Sequence, residues 1–423
     1  MAALVSIDRL RFLLNQLHER LWVRPLAVCL LSIAAVFIAK LADGTALIKW
    51  VPHISIDSVE SLLSIMASSM LVIATFSVTS MLSAYNSASN SATPRAFRLM
   101  VADDVSQNAL STFVGAFIFS VVAIAALKNS FFDKAGLFIL FALTVFVFGL
   151  VITVFVRWVD RIARLGRLGS TIEKVELAAA AALERRRIFP TLCGIPTSVD
   201  ASQGHPVFAN EIGYVQHIDM SAIQEWADKM NVHVEVAALP GTFAAPNRVL
   251  AYVHQLSAKA QEQDHCIAKA FQIGRERLFV DDPRFGLVVL SEIAGRALSP
   301  GINDPGTAIN IIGALVRLIA LWNKPLTDAE QQQAKIIFPR VAVPELTMRD
   351  LYDDAFTAIA RDGAGTLEVS IRLQKGLQSL SLLGSAANRE AAVYHSQRAF
   401  TRAEQALLHA DDVQIIKDSI KPT

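Results

Sequence analysis

The chain reads SLLSIMASSMLVIATFSVTSMLSAYNSASN from Ser61 to Asn90, a stretch that contains no Asp, Glu, Lys or Arg. About 20 predominantly apolar residues in a helix are enough to cross the hydrocarbon core of a membrane. The stretch therefore predicts a membrane-spanning helix, which we place at Ser61–Ser83. A helix of this kind decides the fold class of the protein, because it requires a lipid environment.

The same helix carries a polar stripe. At about 100° per residue, its hydroxyl and amide side chains fall within an arc of roughly 100°. The stripe consists of Ser61, Ser64, Ser68, Thr75, Thr79 and Ser83, followed by Asn86 and Asn90. One interpretation is helix packing, because small polar residues let helix backbones approach closely. The other is that the stripe lines a water-filled path.

Three further stretches resemble membrane spans. Only 18% of the residues are charged and 53% are hydrophobic, whereas soluble domains carry about 25% charged residues. The four predicted spans are Leu26–Ala42, Ser61–Ser83, Leu110–Leu127 and Gly136–Val156. A long basic segment precedes Leu26–Ala42, so we expect this first span to be a retained signal anchor rather than a cleaved signal peptide.

The distribution of basic residues predicts the orientation. Arginines precede the first span, lie between the second and third, and follow the fourth; they are Arg9, Arg11, Arg20, Arg24, Arg95, Arg98, Arg157, Arg161, Arg164 and Arg167. Cytoplasmic loops carry an excess of Lys and Arg. With an even number of spans, both termini are expected in the cytoplasm.

The sequence predicts an α-helical integral membrane protein with four transmembrane helices and a mixed α/β, mostly helical cytoplasmic domain. The parts are an amphipathic cytoplasmic N-terminus (1–25), a four-helix transmembrane domain (26–156), a helical membrane-proximal connector (157–188), a small β-rich segment (189–254) and a helical cytoplasmic domain (255–423). Helices are predicted at Ser257–Gln272, Pro283–Leu298 and Gly306–Trp322 from their apolar spacing.

The β-rich segment has the element order of half a small barrel. Strands are predicted at Ala209–Ile218, Val232–Ala237 and Arg248–Val253, with a helix at Met220–Met230 between the first two. The order is similar to half of a barrel-sandwich hybrid, the β-fold of lipoyl-type domains. The segment has no lysine at a tight turn for lipoyl or biotin attachment, so the similarity concerns architecture and not carrier chemistry.

Two polar groups of residues are candidate sites. The first is a charged cluster of Arg275, Arg277, Asp281, Asp282, Arg296, Asn303 and Asp304. It is interpreted either as helix caps and ion pairs or as a site for a small anionic ligand. The second is a short loop between the second and third spans, with Pro94, Arg95, Arg98 and Asp104. It is either a charged hairpin or a gate that couples to the cytoplasmic domain.

Several function classes are disfavoured. The net charge of +1 provides no field that would attract nucleic acid. Three cysteines without a spacing pattern do not suggest a disulfide framework. The histidines and cysteines lack the spacing of a metal site, and the sequence has no Walker loop, Rossmann fingerprint or nucleophile elbow. We therefore expect no metal, no cofactor and no enzymatic activity.

Three stretches resemble one protein family. They are GRERLFVDDPRFGLVVLSEIAGRALSPGINDPGTA from Gly274, the pair FSVTSML and TPRAFRLMVADDVSQNALSTFVGAF from Phe76 and Thr93, and the pair GYVQHID and LPGTF from Gly213 and Leu239. They are similar to a bacterial family of predicted membrane proteins, domain of unknown function 2254. Within the second, Pro94, Arg95, Arg98, Asp104, Gln107 and Phe113 stand at positions of the family pattern. Gly306 and Ser291-Glu292 depart from it. The resemblance implies a bacterial inner-membrane protein and no particular activity.

Two functions remain open. The first is a homo-oligomeric, channel- or transporter-like pore, because four spans are too few to enclose a pore in one chain. The second is a membrane-anchored sensor or scaffold that binds a small anionic ligand, an ion or a partner protein. Membrane lipids are expected partners in both cases.

Overall fold

The computed structural model describes residues 22–44, 52, 54–96, 99, 104–164, 167–197, 204–254 and 265–420. The chain forms two compact units, an N-terminal unit (residues 11–171) and a C-terminal unit (mainly residues 172–423). Most of the predicted amphipathic N-terminus and the loop residue Arg98 lie outside the described residues, and so do the side chains of Asn90 and Arg164.

The described N-terminal unit consists of long helices. They are α1 (Val23–Leu41), α2 (Ile56–Ser91), α3 (Asp104–Lys128) and α4 (Lys134–Arg164). Each is long and apolar enough to cross a membrane. The predicted spans fall within these helices, except that α1 ends at Leu41, one residue before the predicted end.

Helix α3 packs against the other three helices of this unit. Phe113 is fully buried, and its ring meets the buried Trp158 of α4 edge-on, with 6.0 Å between ring centroids. A Cβ atom on Gly115 would lie 2.5 Å from Cγ1 of Val28, so glycine permits the close approach of α1. Packing at small residues is the usual way that membrane helices associate.

The C-terminal unit is mostly helical, as predicted. Its described helices are α5 (Leu168–Ile188), α6 (Met220–Met230), α7 (His265–Ala270), α8 (Pro283–Ala297), α9 (Pro305–Trp322), α10 (Asp328–Gln333), α11 (Met348–Asp362), α12 (Leu367–Ser381), α13 (Ala386–Ala406) and α14 (Ala410–Ile420). Its described strands are β1 (Gly194–Pro196), β2 (His205–Phe208), β3 (Gly213–Ile218), β4 (His233–Val236), β5 (Phe243–Ala244), β6 (Val249–His254), β7 (Phe271–Gly274) and β8 (Phe338–Val343).

The strands form two sheets. The larger sheet is mixed and has the order β1-β8-β4-β6-β2, with β8 parallel to both of its neighbours. The smaller sheet is antiparallel, with the order β5-β3-β7. Val234 of β4 lies opposite Val253 on one side and Val341 on the other, and all three are buried. Apolar β-branched residues at matching register thus build the core of the larger sheet.

The sheets differ from the predicted half-barrel. Neither sheet closes into a barrel in the described residues, so the barrel-sandwich segment is not confirmed; the coarser expectation of a mixed α/β segment is. The predicted helix at Met220–Met230 is present with the same bounds. The strand predicted from Ala209 begins only at Gly213. Phe271 and Gln272, predicted as helical, form strand β7 because they pair with Ile218 and His217 of β3.

The described residues contain one more candidate span than the sequence predicted. Helix α9 is also long and apolar enough to cross a membrane, which makes five such helices in the described residues instead of four. It packs against α8, α11 and α12. Arg317 of α9 also forms a two-bond ion pair with Glu176, at 2.7 Å for each bond.

Asn388 fixes the helices at the end of the chain. Its buried amide donates to the carbonyl oxygens of Leu380 and Leu383, both at 2.7 Å. Its oxygen accepts from the hydroxyl of Tyr352 at 2.8 Å and from the side-chain amide of Asn323 at 3.0 Å. Four elements therefore share one buried side chain whose hydrogen-bonding capacity is used.

Replacing Asn388 by alanine should lower the free energy of unfolding by roughly 2–4 kcal/mol, since the buried groups around it lose their partners. Chemical denaturation of the full chain in detergent would measure this change. The exposed neighbour Arg389 provides the control, because Arg389→Ala should stay within about 0.5 kcal/mol of the wild type. Equal effects of the two substitutions would contradict a central role for Asn388.

Candidate functional site

The polar stripe lies on the side of α2 that faces away from its own unit. The buried side of the helix carries Val59, Leu63, Met66, Met70, Ala74, Ser77 and Met81. At about 100° per residue, the stripe is centred roughly 170° from this buried side. Its described side chains are exposed, and they are Ser61, Ser64, Ser68, Thr75, Thr79, Ser83 and Asn86. The stripe is thus not used for packing within the described chain.

The hydroxyl groups of the stripe are partly satisfied by the helix itself. Ser68 Oγ donates to the carbonyl oxygen of Ser64 at 2.9 Å. Thr75 Oγ1 donates to the carbonyl oxygen of Leu71 at 2.8 Å, and Thr79 Oγ1 donates to the carbonyl oxygen of Thr75 at 3.1 Å. Each of these hydroxyls uses its one donor in the helix and keeps acceptor capacity for an outside group.

The predicted gate loop is a short turn. Pro94 begins a 3₁₀ turn that ends at Ala96, and Arg95 in this turn is exposed. Asp104, at the first residue of α3, accepts a hydrogen bond from Arg24 of α1 at 2.5 Å. The structure therefore ties the start of α3 to the start of α1.

The charged cluster separates into groups with different roles. Asp282 caps α8 by accepting hydrogen bonds from the backbone N–H groups of Arg284 and Phe285, both at 3.2 Å. Arg277 also donates two hydrogen bonds to Asp282, at 2.6 and 3.0 Å. Burial raises the pKa of Asp282, while these donors act in the opposite direction. The buried Asp282 and the partly buried Arg277 thus form a capping pair, and Arg275 and Arg296 are exposed.

Asp304 caps the next helix. It accepts hydrogen bonds from the backbone N–H of Thr307 at 3.0 Å and from the hydroxyl of Thr307 at 2.6 Å. Asn303, directly before it, has φ of +50°, a left-handed conformation that Asn tolerates better than most residues. These contacts support the interpretation of this connector as a helix start.

Asp281 belongs to a different site from Asp282. Its carboxylate lies 2.7 Å from Nδ1 of His217 on β3. Both residues line a cavity of about 210 Å³ in the C-terminal unit. Arg185 and Arg186, from the last turn of α5, line the same cavity. Sequence reasoning missed this site, although the run of three arginines at the end of α5 is a signal for it.

A strained turn forms one wall of the cavity. Leu192 and Cys193 line it and have φ of +52° and +64°, which is unusual for residues other than glycine, Asn and Asp. The carbonyl oxygen of Cys193 accepts hydrogen bonds from the backbone N–H groups of Ile337 and Phe338, at 2.8 and 3.0 Å. Strained backbone of this kind concentrates at functional sites.

Among the described residues, no three His, Cys, Asp or Glu side chains are grouped to hold a metal ion. His265 and Cys266, which are close in sequence, lie 3.7 Å apart at their side-chain nitrogen and sulfur. Two such groups do not make up the four ligands of a structural zinc site.

Comparisons with known proteins identify a family. The family described as "Predicted membrane protein (DUF2254)" matches residues 18–379. Uncharacterized proteins of Mycobacterium tuberculosis and Mycobacterium bovis are each 31% identical over 111 residues. These matches cover 25% of this chain and 21% of each mycobacterial protein, so the chain matches only about a fifth of their length. No solved structure matches the chain.

The Asp304 cap makes a testable prediction. Asp304→Ala should lower the free energy of unfolding by about 0.5–2 kcal/mol, whereas Asp304→Asn should be nearly neutral because Asn also caps helices. The hydrogen bonds from Thr307 lower the pKa of Asp304 below its usual 3.8. The stabilisation by the ionised cap is therefore present above that pH and is lost as the pH falls through the lower, folded-state pKa. Equal losses in the Ala and Asn variants would show that the charge itself is required.

Proposed function

We propose that this chain, which belongs to the predicted membrane protein family DUF2254, is a multi-pass membrane protein that assembles with further copies of itself along the polar stripe of α2. In the assembly, the stripes line a path for an ion or a small polar solute. The proposal corresponds to a channel- or transporter-like pore with the C-terminal unit as a regulatory domain.

The observation that carries this proposal is the direction of the stripe. A helix at the boundary with lipid normally turns its polar side chains inward, because lipid tails offer no hydrogen-bond partner. Here the apolar side of α2 packs inside its own unit, and the uncharged polar side points outward. A second copy of the chain provides the neighbour that lipid does not, and several copies arranged symmetrically enclose a path.

The hydrogen bonds of the stripe indicate which solutes fit. The hydroxyls of Ser68, Thr75 and Thr79 donate within their own helix. Their remaining capacity toward the path is that of acceptors. Oxygen acceptors without formal charge suit cations and solutes that carry donor groups, as in filters built from carbonyl oxygens.

The orientation is part of the proposal. We infer an even number of spans, with α9 in the core of the C-terminal unit, so that both termini face the cytoplasm across the bacterial inner membrane. Two features of α9 support this. Its apolar side is buried within that unit, and Arg317 on its exposed side is held by Glu176.

A second candidate function is a membrane-anchored sensor or scaffold that binds a small anionic ligand. The observation that favours it is the cavity beside Arg186 in the C-terminal unit. The charged cluster predicted for this role is largely occupied by helix caps and ion pairs.

Reporter fusions test the orientation. A reporter fused after Arg167 and one fused after Thr423 should both be active only in the cytoplasm. If α9 crosses the membrane, the two fusions will report opposite sides. Periplasmic activity at Arg167 would instead contradict the orientation of the N-terminal unit.

Cysteine labelling tests the stripe. In a variant without Cys29, Cys193 and Cys266, single cysteines at Ser64, Ser68, Thr75 and Thr79 should react with a charged, membrane-impermeant thiol reagent, more slowly with greater depth. A cysteine at Val78 is the control, since this side chain is exposed on the protomer but lies about 90° from the centre of the stripe. It should not react.

Native mass spectrometry of Ser68→Leu and Thr75→Leu completes the test. If the stripe cysteines do not react and these substitutions disrupt the oligomer, the stripe is a helix-packing interface that excludes water, and the pore proposal is wrong. Unreactive cysteines combined with a monomeric protein, or with unaffected oligomers, would show that the stripe faces lipid and would overturn the proposal.

A further inference from the structure

The cavity of the C-terminal unit has mostly apolar walls. It is about 210 Å³ in volume. A water molecule takes up about 30 Å³ in the liquid, so the cavity has room for a ligand larger than water. Its apolar lining includes Phe189, Leu192, Ile218, Met220, Pro240 and Phe338. These residues come from distant parts of the chain, so the cavity is a product of the tertiary fold. Apolar walls with a few polar groups are typical of small-molecule sites.

Arg186 gives this cavity a buried positive charge. The residue is only 4% exposed, and its Nη2 donates to the carbonyl oxygen of Pro344 at 3.1 Å. Its Nε and Nη1 atoms are also buried, and they have no hydrogen-bond partner among the described residues. Burial lowers the pKa of Arg186 to about 10, so the guanidinium is charged at neutral pH.

Other arginines of the C-terminal unit are paired with carboxylates, whereas Arg186 is not. Arg187, Arg277 and Arg284 each place a nitrogen within 2.6 Å of a carboxylate oxygen. Arg186 is the most buried of these, yet the one bond it donates goes to a neutral carbonyl. A buried charge without a paired counter-charge is costly for a protein. It is retained most readily where a ligand provides the missing anion.

No acidic group among the described residues forms an ion pair with Arg186. Glu345 and Asp281 attract it only through space, and the Asp281 carboxylate lies 2.7 Å from Nδ1 of His217 instead. Glu345 is exposed to solvent, where its charge is screened. Arg185, a second cation, is exposed and lines the cavity.

We infer that this cavity binds a small amphipathic carboxylate, whose charged group lies against Arg186 and whose apolar body fills the space between Phe189, Met220 and Phe338. Inorganic anions lack a body that would use these walls. The proposal deepens the sensor function, and it stands independently of the pore because all the residues involved belong to the C-terminal unit.

Calorimetry on the full chain in lipid nanodiscs tests this inference, with empty nanodiscs as the blank. The ligands are hexanoate, 3-phenylpropionate, the neutral 3-phenylpropionamide and acetate. Hexanoate or 3-phenylpropionate should bind, whereas the amide and acetate should bind at least tenfold more weakly, since one lacks the charge and the other the apolar body. An amide that binds as well as the acid, or no binding of either larger acid, would overturn the inference and leave a cavity that holds water only.

Two variants identify the residues. Arg186→Met should weaken binding of the acid roughly tenfold to hundredfold, while its melting temperature should equal or exceed that of the wild type because an unpaired buried charge is removed. A lower melting temperature with unchanged binding would show that Arg186 is only structural. Ala182→Leu should also weaken binding, because Ala182 lines the cavity and the larger side chain fills it.

Arg187→Met is the matched control. It changes the adjacent residue in the same way but removes a cation that is already paired with Glu330. It should lower the melting temperature and leave binding intact. None of these substitutions should change cysteine labelling of the α2 stripe, so a failure of the pore proposal and a failure of this one are distinguishable.

Discussion

Peptide groups in the hydrocarbon core of a membrane must find their hydrogen-bond partners within the protein. This constraint determines the helical structure of the N-terminal unit. It accounts for long helices such as α2, which continues from Ile56 to Ser91 without interruption. It also accounts for the hydroxyl groups of the stripe, because Ser68, Thr75 and Thr79 donate to carbonyl oxygens of their own helix. A polar stripe can exist in lipid only when its donors are satisfied in this way or by a neighbour.

The need to pair buried polar groups also shapes the C-terminal unit. Some buried polar side chains there are held by several partners, as in the capping pair of Asp282 and Arg277 and in the network around Asn388. Arg186 departs from this pattern, since two of its buried nitrogen atoms have no partner among the described residues. In both candidate sites, the fold leaves polar groups facing outward or without a partner among the described residues. Such departures from otherwise consistent packing are typical of functional sites.

Local patterns predicted much of the fold. The apolar stretches located the long helices of the N-terminal unit, and apolar spacing located α8 and α9, at whose starts Asp282 and Asp304 accept capping bonds. Strands were predicted less well. Strand β8 was missed because its partners β1 and β4 lie more than a hundred residues earlier in the chain. Strand β7 was assigned to a helix because its pairing with β3 is also non-local.

The sequence by itself determined that this is a membrane protein of a particular family, where its long apolar helices lie, and that one of them carries a polar stripe. These properties follow from periodicity and from hydrogen bonds between residues close in sequence. The tertiary structure decided that the stripe faces away from its own unit. It also decided that the adjacent residues Asp281 and Asp282 have different partners, with Asp281 paired to His217. It also decided that Arg186, Phe189 and Phe338 surround one cavity. The physical reason is that burial and pairing depend on which distant segments the core brings together, and no local pattern records that.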